Sequence, residues 1–251
     1  MMASGRYPVT GYKADGSPII DDKSGYEANG FTDGWLHPTH RDKGIKVHNS
    51  MKGRDGRFYA SIFFNGMYWI HPDGTKEQYA PVTFFTGGTS SYAHSSGDYV
   101  KTGFVFTKFT DPNIDTRKNT WGSFTWSYLR LAEIYLLRAE ARCRANLPGA
   151  EDDLNYVRNR AHAKIYPADT DTEGLQMAIF REREREMFFD GERYYDIVRN
   201  GYYNFPGMIS ETFEKLSEQD VKDGALYVPI MDTEMQRNTL MRQNPYWLAR
   251  W

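Results

Sequence analysis

Between Arg181 and Glu192 the chain alternates guanidinium and carboxylate side chains: Arg181, Glu182, Arg183, Glu184, Arg185 and Glu186, with Glu192 after an aromatic break. Paired carboxylates are the tools of glycoside hydrolysis, where one protonates the leaving oxygen and the other acts from the opposite side of a cleft. That chemistry needs the two acids on facing walls. Here they share one helical stretch, and Glu182–Arg185 and Arg181–Glu184 stand three residues apart, so the spacing predicts mutual ion pairing instead. No Gly-rich catalytic loop accompanies them. Further along, Arg193, Asp196 and Arg199 are expected to form a partly buried polar network that fixes the helix against loops.

The other reactive residue types point to no catalyst. His37-x-x-His40 lies beside Asp33 and Asp42, with His48 beyond. Two histidines at that spacing face one metal only on a helix, and Pro38 with its glycine neighbours predicts a loop. Ser90-Ser91 and Ser95-Ser96 flank His94, but the nucleophile-elbow pattern and an orienting acid are missing. Gly87-Gly88 is followed neither by Lys-Ser/Thr nor by a strong helix start, so it does not read as a phosphate cradle. The expected catalytic set and metal set are both empty.

Aromatic residues are the unusual feature: 18 Tyr, 15 Phe and 6 Trp make up 16% of the 251 residues. Many sit in Gly-rich segments rather than in periodic helices. Rings in loops offer flat contact area at low entropy cost. Trp35, Tyr68, Trp69 and Tyr92, with Asn65, His71 and Asp73 nearby, are therefore the candidate ligand-binding residues. The competing reading of each ring is a plug in a loop-rich core. Trp126, Tyr128 and Tyr135 are expected on a helix and in the core.

Charge and cysteine usage narrow the class. A net charge of −2 gives no electrostatic footprint for nucleic acid. The single cysteine, Cys143, excludes an internal disulfide framework and a cysteine-built zinc site. It falls in a helical pattern, where a small buried side chain is its expected role. No apolar run has the length to cross a bilayer as a helix, and Met1–Tyr7 lacks the charged and apolar regions of a secretion signal.

The elements that must position these residues differ between the two halves. Residues 1–125 are rich in Gly, Pro, Ser, Asp and aromatics, with expected strands at Phe58–Phe64, Tyr68–His71 and Phe104–Phe109. Asn65-Gly66 predicts a tight hairpin between the first two. From Tyr128, Leu129, Ala132, Leu136, Ala139 and Cys143 recur at three- and four-residue spacing, one apolar helix face. Leu147-Pro148-Gly149 ends that helix, and Ala150–Ala161 forms a second with acidic residues in its first turn. A third runs from about Leu175 to Asn200, interrupted at Asp190-Gly191. The first two make an antiparallel helical hairpin like the unit of tetratricopeptide arrays. Such units bury their faces by stacking, usually in sets of at least about three. A lone hairpin is expected to want a neighbour, which predicts a piece of a longer protein.

Three blocks, in this order and spacing, carry a family resemblance. The first is Tyr128-Leu-Arg-Leu-Ala-Glu-Ile-Tyr-Leu-Leu-Arg-Ala-Glu-Ala141 with Leu154-Asn155-x-Val157-Arg158-x-Arg160-Ala161. The second is Glu182-Arg183-x-x-Glu186-Met187-x-Phe189-Asp190-Gly191-x-Arg193-Tyr194-Tyr195-Asp196-Ile197-Val198-Arg199-x-Gly201. The third is Leu226-x-x-Pro229-Ile230, Glu234, Asn238 and Gln243-Asn244-Pro245. Together with Gly53–Ala60 they resemble the SusD/RagB-like outer-membrane nutrient-binding lipoproteins. Two departures are Asp55-Gly56-Arg57 where the family usually has Asp-Pro-Arg, and Tyr246 where it has Gly.

The resemblance implies a mainly α fold with extensive loops, small β-hairpins and one TPR-like helical hairpin. It assigns residues 1–125 to a loop-rich region and 126–251 to a helical core with an extended tail, together one C-terminal domain without its N-terminal repeat region. It implies a non-catalytic protein without a cofactor, lipid-anchored on the outer face of the outer membrane when whole. Such a protein captures an extracellular glycan and delivers it to a SusC-like TonB-dependent transporter. Two other readings remain open: a peptide ligand, and a helical scaffold for protein partners.

Overall fold

The computed structural model describes residues 9–12, 18–20, 30–33, 46–51, 54–69, 71, 73–75, 81–84, 87–93, 96–97, 99–100, 103–111, 113–119, 122, 125–168, 171, 174–202 and 217–248. The chain divides into two compact units, one of residues 1–11 and 19–189 and the other of residues 12–18 and 190–251. In chain order the strands are β1 (Val9–Tyr12), β2 (Pro18–Ile20), β3 (Phe31–Asp33), β4 (Lys46–His48), β5 (Ile62–Phe64) and β6 (Phe104–Phe106). The helices are α1 (Gly56–Ser61), α2 (Leu131–Arg144), α3 (Ala150–Arg160), α4 (Leu175–Glu186), α5 (Arg193–Arg199), α6 (Glu218–Lys222), α7 (Asp232–Arg237) and α8 (Pro245–Leu248). Among the described residues the strands pair two by two, and the fold is mainly helical with small sheets, as expected.

The first unit is organised by α2, α3 and α4. At the tight turn between α2 and α3, Leu147 N–H reaches back to the Arg142 carbonyl at 2.8 Å. Gly149 then takes φ +87°, a left-handed conformation that a side chain would strain. Glu151, Asp152 and Asp153 fill the first turn of α3, where the exposed N–H groups favour negative charge. Leu136 and Ala139 of α2 meet Leu154 and Val157 of α3 and Ala178 and Ile179 of α4 in one buried cluster. Each aliphatic side chain of Leu or Ile size contributes about 1.5–3 kcal/mol there. Ala132, Tyr135 and Cys143 pack on its edge, so the expected apolar face is real from Ala132 onward.

Before that point the expectation fails. The helix begins at Leu131, not Tyr128. Trp126, Tyr128 and Leu129 are exposed, Tyr128 at 91%, so of the three expected core aromatics only Tyr135 joins the core. The cause is Arg130, whose extended backbone (φ −132°, ψ 155°) precedes the helix while its side chain is tied to Glu186.

A second, smaller core gathers Phe63, Phe64 and Met67, with Phe58, Tyr59, Tyr68, Trp69, Val82 and Phe84 against it. The expected Phe58–Phe64 strand is mostly helix. Asp55 accepts the Arg57 N–H at 2.9 Å and starts α1, leaving only Ile62–Phe64 extended. The Asn65-Gly66 turn forms, with Gly66 at φ +90°, but Tyr68, Trp69 and His71 are not in a strand. Instead β5 pairs antiparallel with β6, Ile62 opposite Phe106 and Phe64 opposite Phe104. The Met67 carbonyl accepts the Val82 N–H at 2.8 Å. The segment after the turn is held instead by Val82 and Phe84, which pack on the same apolar cluster. The expected strand at Phe104–Phe109 ends at Phe106.

In the second unit α5 follows Gly191, which stands at φ +91° where the third helical stretch was expected to break. Asp196 is 2% exposed and receives the Arg199 guanidinium at 2.7 Å, an ion pair within α5 itself. Ser217 and Asp220 form a reciprocal capping box on α6. The Gln243 amide ties the tail in register, donating to the Ile230 carbonyl at 2.8 Å and accepting its N–H at 3.1 Å.

Candidate functional site

The Arg/Glu run on α4 is the anchor of a buried ion network. Its expected internal pairs form: Glu182–Arg185 at 2.9 Å and Arg181–Glu184 at 3.6 Å. The larger part comes from elsewhere. Arg57, just inside α1, reaches Glu182 Oε1 at 2.7 Å and Glu186 Oε2 at 2.9 Å while holding Asp55 bidentately. Arg158 of α3 donates to Glu182 Oε2 at 3.1 Å and grips Asp171 with both terminal nitrogens at 2.7 and 3.0 Å. Glu186 also receives Arg130 and Arg160, each at 2.6 Å. Arg130 donates in addition to the Glu186 carbonyl.

Glu182 and Arg158 are each 1% exposed, so these ions persist only because they are mutually matched. Burial by itself raises the Glu186 carboxyl pKa, but hydrogen bonds from Arg130 and Arg57 and the Arg160 charge outweigh it, and the net shift is downward. Asp55 and Asp171 are likewise pulled down against burial, by Arg57 and Arg158 respectively. Arg185 shifts down because burial dominates. Both oxygens of Glu182 and both of Glu186 accept from guanidinium groups. Carboxylates so held lock α1, α3 and α4 together. A general acid would need a free, protonated oxygen facing a cleft.

Of the aromatic candidates, Tyr68 and Trp69 follow the turn after β5, and Tyr92 lies in a later loop. Trp69 packs on Phe63 with ring centroids 5.9 Å apart, and Phe84 meets the same ring at 6.2 Å. Tyr68 also leans on this cluster. Tyr92 is different: it is 64% exposed and meets Tyr99 edge-to-face at 5.2 Å. Backbone bonds from Val82 to Met67, Ser90 to Thr83 and Val100 to Ser90 carry the chain from one group to the other. Trp35 lies outside the described residues, as do His37, His40 and Asp42. His48 sits opposite Phe31 in the β3–β4 pair. Among the described residues no group of three His, Cys, Asp or Glu could hold a metal ion.

The polar neighbours of these rings are engaged in structure. Asn65 accepts the Phe84 N–H at 2.8 Å. His71 is buried, its Nδ1 3.7 Å from Asp115. Asp73 accepts Thr75 at 2.6 Å and Arg117 at 2.9 Å; the Thr75 bonds first, then Arg117, hold its carboxyl at about 2.

Sequence reading missed one further aromatic surface. Phe106 and Phe189 stack with centroids 3.7 Å apart, and both remain nearly half exposed, as does Phe104. Lys108 secures the loop by donating to the Phe188 carbonyl at 2.7 Å. Phe189 stands at φ +64°, uncommon for a bulky residue. Nothing local announces the pair, because its members lie on β6 and beyond the end of α4.

A helical hairpin clamped to a third helix by buried ions, with small two-stranded sheets beside it, defines a mainly helical scaffold. Residues 9–247 match the model of the SusD family, and the chain belongs to that family. The crystal structure of a SusD-like protein from Bacteroides fragilis NCTC 9343 is similar with a TM-score of 0.62 at 24% identity, covering 96% of this chain and 45% of that one. A SusD homolog from Bacteroides thetaiotaomicron is 32% identical over 62% of this chain and 33% of its own, with a TM-score of 0.46. A SusD superfamily protein from Bacteroides vulgatus is 20% identical over 78% of this chain and 41% of its own, also at 0.46. The chain thus spans less than half the length of these solved structures. No functionally curated protein matches it.

Proposed function

We propose that this chain is part of a nutrient-capture protein that binds an extracellular oligosaccharide without catalysis and passes it to a SusC-like TonB-dependent transporter. The whole protein works from the outer face of the outer membrane, held by a lipid anchor. The observation that carries the reading is the family match over residues 9–247. Aromatic rings in the loops add chemical sense: the C–H faces of a sugar stack on exposed rings such as Tyr92, while neighbouring polar groups take its hydroxyls. Among the described residues no helix is long and apolar enough to cross a membrane.

The test is a calorimetric screen of the purified chain against soluble glycans and short peptides, with Trp35→Ala and Trp69→Ala alongside. Saturable glycan binding weakened by Trp35→Ala, or by Trp69→Ala where melting shows that variant folded, supports capture through these rings. Peptide binding alone moves the ligand class to peptides. Sugar release during the titration would show an enzyme, and no binding of any kind removes the capture reading.

A further inference from the structure

Thr83 and Thr89 hold each other in a reciprocal pair. The Thr89 hydroxyl accepts the Thr83 N–H at 2.9 Å, the Thr83 hydroxyl accepts the Thr89 N–H at 2.9 Å, and the two oxygens stand 3.3 Å apart. Each side chain occupies the backbone donor of the other, as the two members of a capping box do at a helix end. Backbone bonds extend the clasp: the Ser90 N–H reaches the Thr83 carbonyl at 2.9 Å, and the Ser91 N–H reaches the Gly88 carbonyl at 3.2 Å. On one side the clasp is rooted in the smaller core, because Thr83 stands between Val82 and Phe84, both packed against the Phe63, Phe64 and Met67 cluster. On the other side the Ser90 carbonyl accepts the Val100 N–H at 3.5 Å. Tyr92 lies two residues past Ser90 and Tyr99 one before Val100, and their rings meet at 83° with centroids 5.2 Å apart. From Gly87 to Ser91 the chain reads Gly-Gly-Thr-Ser-Ser and offers no apolar side chain to a core, so hydrogen bonds set its shape.

We propose that Thr83 and Thr89 are positioning residues for Tyr92, and that their clasp sets its ring against Tyr99 before a sugar arrives. The proposal rests on the capture reading, with Tyr92 as a stacking surface. Tyr92 is 64% exposed, so packing does little to fix it. A ring free to swing on a segment free to move would have to be ordered as the sugar docks, and that ordering weakens binding. A clasp formed beforehand removes part of that cost. Two rings at 83° also enclose a right-angled corner, in which a pyranose laid on one ring meets the rim of the other. Tyr99 is thereby the second wall of the site, a residue that its own sequence neighbourhood does not single out.

The test is calorimetry of the full chain with maltohexaose, cellohexaose, xylohexaose and mannohexaose. The variants are Thr89→Val, which keeps the shape and removes the acceptor, Thr89→Ser, which keeps the acceptor, Tyr92→Ala, and Thr89→Val combined with Tyr92→Ala. For whichever sugar binds, Thr89→Val should weaken binding at least about tenfold and Thr89→Ser less than about threefold. In the Tyr92→Ala background Thr89→Val should add less than about twofold, because no ring is left to position. General support of the fold would instead weaken binding with or without the ring. Where Tyr92→Ala binds too weakly for that comparison, the rescue by Thr89→Ser decides. Melting curves establish which variants fold, and Thr83→Val is read if Thr89→Val does not. Unfolding of both overturns the proposal, since the clasp would then carry the fold rather than the ring. Unchanged binding by folded Thr89→Val or by Tyr92→Ala, an equal loss with Thr89→Ser, or a full loss in the Tyr92→Ala background overturns it and leaves capture standing. No binding of any of the four sugars overturns it together with the capture of neutral glycans.

Discussion

Arg57 and Glu182 are 125 residues apart in the chain and 2.7 Å apart in space. The contact links the first turn of a six-residue helix to the middle of α4. It is strengthened on both sides: Asp55 orients the guanidinium, and Arg158 and Arg185 hold the other oxygen of Glu182. Burial lowers the Arg57 pKa in isolation, but the bonds to Asp55 and the charge of Glu182 reverse that and raise it. A loop-rich segment that lacks a large core of its own is thereby fastened to the helical one.

Removing one member of this network strands the others. Glu182→Gln leaves Arg57, Arg158 and Arg185 short of a buried counter-charge, and breaking such a pair costs about 3–5 kcal/mol. Urea unfolding should show a lower midpoint by that amount. A midpoint shifted by less than about 1 kcal/mol would place the stabilisation elsewhere.

Acid should unfold the protein through the same groups. Asp55, Asp171 and Glu186 all have folded pKa values below their ordinary 3.8, 3.8 and 4.5. Groups depressed on folding contribute stability that is fully present above the unfolded pKa and is lost as pH falls through the folded one. Stability should therefore hold above about pH 5 and decline steadily below about pH 4.5. Glu186→Gln should flatten part of that decline in melting curves recorded from neutral to acid pH.

The two sides of α2 should respond differently to truncation. Leu136→Ala opens a cavity in the buried cluster and should cost about 2–5 kcal/mol. Leu131→Ala, on the exposed side, should stay within about 0.5 kcal/mol. Equal costs by chemical denaturation would mean that both sides are packed in solution.

Gly149 is expected to resist substitution. At φ +87° an added Cβ would stand 3.0 Å from the Arg142 guanidinium, which bonds both the Gly149 carbonyl and Asp153. Gly149→Ala should lower stability by about 1–2 kcal/mol through left-handed strain alone. A neutral or stabilising result would show that the α2–α3 turn relaxes to another conformation.

Among the ring candidates, Tyr92 and Trp69 should separate binding from folding. Tyr92 is mostly exposed, so Tyr92→Ala should leave the melting temperature unchanged while weakening any glycan bound there. Trp69 packs on Phe63, so Trp69→Ala should lower both stability and binding. Comparing the two by calorimetry and melting decides whether ligand loss reports contact or collapse.

What could be read along the chain was what short-range physics encodes. Apolar spacing marked α2 from Ala132, the acidic first turn marked α3, Gly191 marked the break before α5, and the ordered motifs pointed to the family now established. The i,i+3 ion pairs were legible for the same reason, since neighbours on a helix meet whatever the rest of the fold does. Tertiary structure decided everything that depends on which distant segments meet. It paired β5 with β6 rather than with the next apolar run, and drew Arg130 to Glu186 so that α2 started late. It also stacked Phe106 on Phe189 and converted a run of surface-looking charges into a buried clamp. Periodicity records which face of an element is apolar, but burial of a charge depends on the partners that arrive, and those are fixed only when the chain closes on itself.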